Sequence, residues 1–264
     1  MPASTVAGSH GTYWRYRRDD RPPFDPVVFD ERALAARGAL DGRARAGRGN
    51  THFLVLDGHA LVLRHYRRGG LVRHLSERRY LWTGIERTRA VREFELLREL
   101  EAEGLSVPRP HACAVNRHGL VWSGSLVTHR LPGQTLADRL DARGLVPWEH
   151  VGRCIARFHA KGVRHADLNA HNVMLDGENV FLIDFDRASR RRVPSGSSVA
   201  ARAPRSAAGS DVGPAREAAG WQRANLDRLR RSLAKLSRRA GRPFEEEGVA
   251  LLRRAWQDEL ARLA

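Results

Sequence analysis

An α+β chain of two lobes, a small antiparallel-sheet lobe followed by a mainly helical one, is what the sequence predicts, on two observations. The first half carries apolar runs broken by turn dipeptides, the pattern of hairpins, around a single helical segment. The second half carries apolar residues at helical spacing in three segments and only one hairpin. Residues 1–45 mix polar, Pro and Arg-rich pieces with a short helical pattern near Glu31 to Arg37, and are expected to be an irregular extension. The sheet lobe is expected over 46–131 and the helical lobe over 132–264.

Within the first lobe, Phe53-Leu54-Val55-Leu56 and Ala60-Leu61-Val62-Leu63 flank Asp57-Gly58, which predicts a β-hairpin. From Thr88 to Glu103, Val91, Phe94, Leu97 and Leu100 recur every third residue up to Gly104, an amphipathic helix with a glycine stop. Leu120 to Trp122 and Ser125 to Thr128 are expected as two short strands around a Ser-Gly turn. The second lobe begins with a helix over 149–160, carrying Val151, Ile155 and Phe158 inward and ending at Gly162. A hairpin of Val173–Leu175 and Val180–Ile183 turns at Asp176-Gly177, and two more helices are expected at 225–236 and 248–263. Between them, 19 of the 26 residues of 195–220 are Ala, Ser, Gly or Pro, too little apolar surface to bury, so a disordered insertion is expected there.

Composition removes several function classes. Hydrophobic residues make up 42% of the chain, enough for a globular core. Only Lys161 and Lys235 are lysines and neither stands in a GK[ST] context, which excludes a Walker-type P-loop. Cys113 and Cys154 are too few for a disulfide framework or a zinc knuckle, and are expected as buried thiols in a reducing compartment. Met1 to Tyr16 lacks an apolar stretch long enough for a signal peptide and no apolar run reaches the ~18 residues of a transmembrane helix, so a cytoplasmic protein, peripheral to a membrane, is expected. The net charge of +16 draws the chain to polyanions without choosing among nucleic acid, an anionic membrane and a phosphorylated substrate.

The most informative stretch runs from His165-Ala166-Asp167 through Asn172 to Ile183-Asp184-Phe185-Asp186. Asp167 leads Asn172 by five residues, and Asp184 ends an apolar strand twelve residues after Asn172. Phosphoryl transfer needs a carboxylate to receive the acceptor hydroxyl's proton and oxygen ligands that hold Mg²⁺ against the ATP phosphates. These three positions supply that set, and the intervening hairpin returns Asn172 and Asp184 to one end of the sheet.

This stretch resembles the protein-kinase-like superfamily, with its catalytic loop H-R-D-x-x-x-x-N and its D-F-G metal motif. Ala166 stands in place of the motif arginine, Asn169 where lysine is usual and Asp186 where D-F-G has glycine. The resemblance implies a two-lobed protein-kinase-like fold with Asp167 as catalytic base and Asn172 and Asp184 as metal ligands. It places Arg64, in Val62-Leu63-Arg64, where the strand lysine of V-A-I-K stands, and Glu93 as its partner from the helix; Glu95 points to the other side of that helix. Gly47 and Gly49 then cover the nucleotide phosphates or form a plain turn. Ser125 to Leu131 and Pro132-Gly133 take the place of the inter-lobe hinge that holds adenine, and His165 orients the loop.

Two further stretches narrow the family. Arg64-His65-Tyr66-Arg67-Arg68-Gly69-Gly70-Leu71 with Tyr80-Leu81-Trp82, and Trp221-Gln222-Arg223-Ala224-Asn225-Leu226-Asp227-Arg228, are similar to bacterial 3-deoxy-D-manno-octulosonic acid (Kdo) kinases. That resemblance implies ATP and Mg²⁺ as cofactors and the 4-hydroxyl of Kdo, on a Kdo-lipid A precursor in lipopolysaccharide inner-core synthesis, as acceptor. It implies work at the cytoplasmic face of the inner membrane, an anionic surface, and no nucleic-acid partner. Arg67, Arg68 and Arg73 are candidate anion contacts or solvated arginines. Another small-molecule phosphotransferase of the same fold, or a basic binding protein without catalysis, are the alternatives.

Overall fold

The computed structural model describes residues 3–8, 11–43, 51–66, 80–191 and 214–263. The chain divides into two compact units, Met1–Leu131 and Pro132–Ala264.

The first unit is built on an eight-stranded antiparallel sheet. Its strands are β1 (Ala3–Ala7), β2 (Thr12–Arg17), β3 (Leu40–Arg43), β4 (Thr51–Leu56), β5 (His59–His65), β6 (Tyr80–Leu81), β7 (Pro110–His118) and β8 (Val121–His129). They lie in the order β1-β2-β7-β8-β5-β4-β3, with β6 pairing the start of β8. Helix α1 (Glu31–Ala36), capped by the Asp30 carboxylate, covers one face. There Val28 and Leu34 pack on Leu54, Leu56, Leu61, Leu63 and Val127. Helix α2 (Arg89–Ala102) packs on β7 and β8 from the other face. Because side chains alternate along a strand, β5 sends Leu61, Leu63 and His65 toward α1, and Arg64 with the following Tyr66 toward α2.

Three expectations change here. Residues 1–45 are not an irregular extension, because β1, β2 and β3 lie in the sheet. The arginines that made β2 look like a solvated segment are ion-paired to the α2 side, Arg15 with Glu86 at 2.5 Å and Glu95 at 3.1 Å, and Arg17 with Glu101. Trp14 and Tyr16 work on the opposite face, where Tyr16 stacks on Phe24 with ring centroids 4.2 Å apart. Ser123-Gly124 is not a turn either. β8 runs straight through it, and the hairpin turn lies at Gly119, whose φ is +62°. Gly124 is needed for close packing instead: a Cβ there would come within 2.8 Å of the Trp122 ring and 3.2 Å of Ala90 on α2.

The second unit holds the short strands β9 (Gln134–Thr135), β10 (Val163–Arg164), β11 (Val173–Asp176), β12 (Asn179–Leu182) and β13 (Ser189–Arg190). Its helices are α3 (Leu136–Asp141), α4 (Trp148–Ala160), α5 (Pro214–Arg239) and α6 (Glu246–Leu263). β12-β11-β9 form one small antiparallel sheet, and β10 pairs β13. α4 and α6 pack closely enough that a Cβ on Gly152 would sit 2.2 Å from the Leu252 carbonyl oxygen. The third correction concerns the insertion expected at 195–220. Its first part, 195–213, lies outside the described residues, but from Pro214 the chain is already helix α5. Pro-Ala-Arg-Glu-Ala-Ala explains this, since proline suits a first helical turn and alanine has the highest helix propensity.

Candidate active site

The sequence motif falls on a loop between β10 and β11 and on the end of β12. Val173 pairs with Leu182, and the Ile183 amide donates to the Asn172 carbonyl at 3.1 Å, so Asn172 and Asp184 leave the hairpin at the same end. Asn172 is buried and its Nδ2 donates to the Asp167 carbonyl at 2.9 Å. Asn169 Nδ2 donates to the same carbonyl at 3.0 Å, while Asn169 Oδ1 caps the turn by accepting from the His171 amide at 2.9 Å. Two side-chain amides thus hold the Asp167 backbone, and the asparagine standing where kinases usually carry lysine has a local structural job. The Asp167 carboxylate itself remains exposed.

Asp184 has φ +66°, the left-handed region in which a non-glycine residue costs on the order of 1 kcal/mol. Such strain persists where surrounding bonds fix the backbone and is concentrated at working sites. Here Phe185 is fully buried against Phe158, the Ile183 amide is bonded to Asn172, and the Ile183 carbonyl accepts from His165 Nε2 at 2.8 Å. His165 is buried, and desolvation lowers its pKa. It is a neutral brace between the loop and the Asp184 strand, which is the orienting place the sequence suggested.

Helix α5 supplies what sequence reasoning missed. Asn225, Arg228 and Ser232 lie on one helical face and all reach the loop. Asn225 Oδ1 accepts from the His165 amide at 3.2 Å and its Nδ2 donates to the His165 carbonyl at 2.5 Å. Ser232 Oγ accepts from the Ala170 amide at 3.2 Å. Arg228 Nη1 lies 3.2 Å from Asp167 Oδ1. The signal was present as the spacing Asn225-x-x-Arg228-x-x-x-Ser232, but polar residues three and four apart on an Arg-rich helix look like a solvated stripe. His159 completes the brace: Trp256 Nε1 donates to its Nδ1 at 3.0 Å, which leaves Nε2–H to donate to Asn225 Oδ1 at 3.2 Å. Burial holds its pKa down at about 4. Both cysteines are buried, and desolvation pushes the Cys154 thiol up to about 12.

In the first unit, Arg64 Nη2 donates to Glu93 Oε2, and the Tyr66 hydroxyl donates to the same oxygen at 2.7 Å. The Glu93 side chain is 2% exposed, while that of Arg64 is 24% exposed. The carboxylate is therefore buried and held, and the guanidinium is partly exposed. Desolvation, reinforced by Glu93, raises the Tyr66 pKa well above its ordinary value, so its hydroxyl stays a donor. Glu95 faces elsewhere, toward Arg15 and Arg98 at 3.1 and 2.7 Å. Gly47, Gly49, Arg67, Arg68 and Arg73 lie outside the described residues. Ser125 to His129, expected near the hinge, belong to β8.

Residues 41–199, which include every site position named from the sequence, match the profile of the lipopolysaccharide kinase (Kdo/WaaP) family. The chain is 41% identical over 213 residues to the 3-deoxy-D-manno-octulosonic acid kinase of Stenotrophomonas maltophilia (strain K279a), covering 80% of this chain and 76% of that protein. It is 39% identical over 247 residues to the enzyme of the same name from Xanthomonas campestris pv. campestris (strain B100), covering 92% and 86%. Among solved structures, WaaP in complex with acyl carrier protein aligns with a TM-score of 0.41 and 19% identity over 86% of this chain and 92% of that one. Aminoglycoside-3'-phosphotransferase of type VIII aligns with a TM-score of 0.46 and 16% identity over 88% and 98%.

Proposed function

The chain belongs to the lipopolysaccharide kinase (Kdo/WaaP) family, and on that premise we propose that it transfers the γ-phosphoryl group of ATP to the 4-hydroxyl of Kdo on a lipid A precursor. The observation that carries this is the Asp167 constellation: an exposed carboxylate on a backbone locked by Asn169 and Asn172, at the same end of the hairpin as Asp184, with a guanidinium beside it. Asp167 orients the acceptor hydroxyl and takes its proton as the new O–P bond forms and the bond from the γ-phosphorus to the ADP oxygen breaks. Arg228 adds positive charge where an acidic sugar docks, and the carboxylate of Kdo suits it.

The donor set on the hairpin fits Mg²⁺. Asn172 spends Nδ2 on the Asp167 carbonyl and keeps Oδ1 to offer, and Asp184 adds a half-buried carboxylate, so both donors are oxygens, as a hard cation requires. When bound, Mg²⁺ neutralises charge on the ATP phosphates. Arg64, held by Glu93 and Tyr66, serves the nucleotide phosphates bidentately in place of the usual lysine. The +16 charge favours an acceptor and a membrane leaflet that both carry anions, at about 1 kcal/mol for each basic residue near the surface.

Turnover of Mg·ATP with three acceptors tests the assignment: Kdo-bearing lipid A precursor, the same precursor without Kdo, and an aminoglycoside. Only the Kdo-bearing lipid should be consumed. Equal turnover of the Kdo-free lipid would move the acceptor site off Kdo, and turnover of the aminoglycoside alone would favour another small-molecule phosphotransferase.

A further inference from the structure

On the α1 side of the first unit, away from Arg64, two histidines converge on one carboxylate. His52 on β4 stands opposite Leu63, and His65 lies two residues further along β5, so both project from the face that α1 covers. Leu34 of α1 enters the apolar core there, and Glu31, three residues earlier on the same helical face, meets the histidines at the core's edge. His65 Nε2 lies 2.9 Å from Glu31 Oε1, and His52 Nε2 lies 3.4 Å from Glu31 Oε2. One donor atom from each residue falls within 4.8 Å of the other two. His52 is 3% exposed. His65 Nδ1 is 2.7 Å from Ser125 Oγ, an outer partner that fixes the ring with Nε2 directed at the carboxylate.

A second grouping shows what a purely structural cluster looks like in the same unit. Asp20 is buried, and although burial raises its pKa, hydrogen bonds from His111 and His129 hold it well below the usual carboxylate range. Its Oδ2 accepts from His111 Nδ1 at 2.9 Å and His129 Nε2 at 2.8 Å, and Arg109 Nε donates to Oδ1 at 2.8 Å. Both oxygens are consumed, and a fixed cation already sits there. Beside Glu31 no guanidinium takes the carboxylate in this way among the described contacts. An open cavity of about 640 Å³, lined by Trp14, Pro26, Phe29, Glu31, His65 and Asn116, opens beside Glu31 and borders His65, whose Nε2 is itself buried.

We propose that Glu31, His52 and His65 form a binding site for a divalent transition-metal ion of the zinc class, with two imidazole nitrogens and one carboxylate oxygen as protein ligands and a water from the cavity completing a tetrahedron. Two imidazole nitrogens and a carboxylate oxygen form a borderline donor set that favours Zn²⁺ over Mg²⁺ or Ca²⁺. The ion ties α1 to the β4–β5 hairpin on the face opposite the Arg64–Glu93 pair. It is distinct from the oxygen-donor set at Asn172 and Asp184.

The test is a titration of the untagged full chain with Co²⁺ in excess Mg²⁺, followed by visible absorption. The expected result is one equivalent bound with the intense bands of tetrahedral Co²⁺, bleached by one equivalent of Zn²⁺. The bands should be lost in Glu31→Gln and in His65→Asn, each shown folded by circular dichroism, and retained in Asp184→Asn and His129→Gln. Zn²⁺ should raise the melting temperature of the wild-type chain and of His129→Gln but not of Glu31→Gln. Absence of tetrahedral bands in the wild type would overturn the site and leave Glu31 a hydrogen-bond acceptor only. Bands that survive Glu31→Gln and His65→Asn, or vanish in His129→Gln or Asp184→Asn instead, would overturn it equally.

Discussion

At the scale of single residues, the use of arginine at position 64 has consequences that lysine would not. Its guanidinium engages a buried carboxylate through a planar fork of N–H donors whose geometry also suits phosphate oxygens, whereas an ammonium is a point charge on a shorter reach. Arg64→Ala should raise the Michaelis constant for ATP and lower turnover together, and it should lower the melting temperature, because it takes a cationic partner from the buried Glu93 carboxylate. Arg64→Lys should retain partial activity. Glu93→Gln should give a smaller defect, and the double variant should add little to Arg64→Ala, since contacting partners are not independent. At Asp167, replacement by Asn should lower kcat by about 10²–10⁴-fold while Mg·ATP affinity stays near the wild type. Asp184→Asn should instead lose metal-dependent nucleotide affinity, and titration of both variants with a fluorescent ATP analogue separates the roles. Arg228→Ala should raise the acceptor Michaelis constant roughly tenfold, about 1.4 kcal/mol, with the ATP constant unchanged.

At the scale of elements, glycine marks where backbones touch. A side chain at Gly152 would meet the Leu252 carbonyl of α6, so Gly152→Val should force α4 and α6 apart and cost about 1–3 kcal/mol or more, measured by urea unfolding. The same logic separates what was legible in the sequence from what was not. The β4–β5 hairpin could be placed because Asp57-Gly58 sits between two apolar runs with nothing else for its glycine to do. Gly124 looked equally like a turn, but it is required by Ala90 of α2, which packs on the sheet there, a contact no local pattern announces. β2 was hidden because its arginines find their carboxylates 71 to 84 residues away, on and beside α2. The loop residues Asp167, Asn172 and Asp184 were legible because their spacing is set by one hairpin. Asn225 and Arg228 were not, since their partners lie about 60 residues earlier.

At the scale of the whole molecule, buried neutral histidines make stability depend on pH. His159 titrates at about 4 when folded, against an ordinary value of 6.5, so the unfolded chain binds the proton first. Its contribution is complete above pH 6.5 and is lost as pH falls toward 4, with a slope near 1.4 kcal/mol per unit; His165, also lowered, adds in the same direction. Urea midpoints should fall between pH 7 and pH 4.5, and less steeply in His159→Gln; a flat profile would contradict the neutral brace. The net charge of +16 should make binding of the anionic acceptor weaken as salt rises, seen as an increase in its Michaelis constant between two ionic strengths.

In the proposed reaction Asp167 directs phosphate onto one hydroxyl of Kdo. The most direct test is mass spectrometry and phosphorus–proton NMR of Kdo-bearing lipid A precursor after incubation with Mg·ATP and either the wild-type chain or Asp167→Asn. One added phosphate, coupled to the proton on carbon 4 of Kdo in the wild-type sample and missing with Asp167→Asn, is the predicted result. Phosphate on a lipid A hydroxyl, or an equal yield from Asp167→Asn, would contradict it.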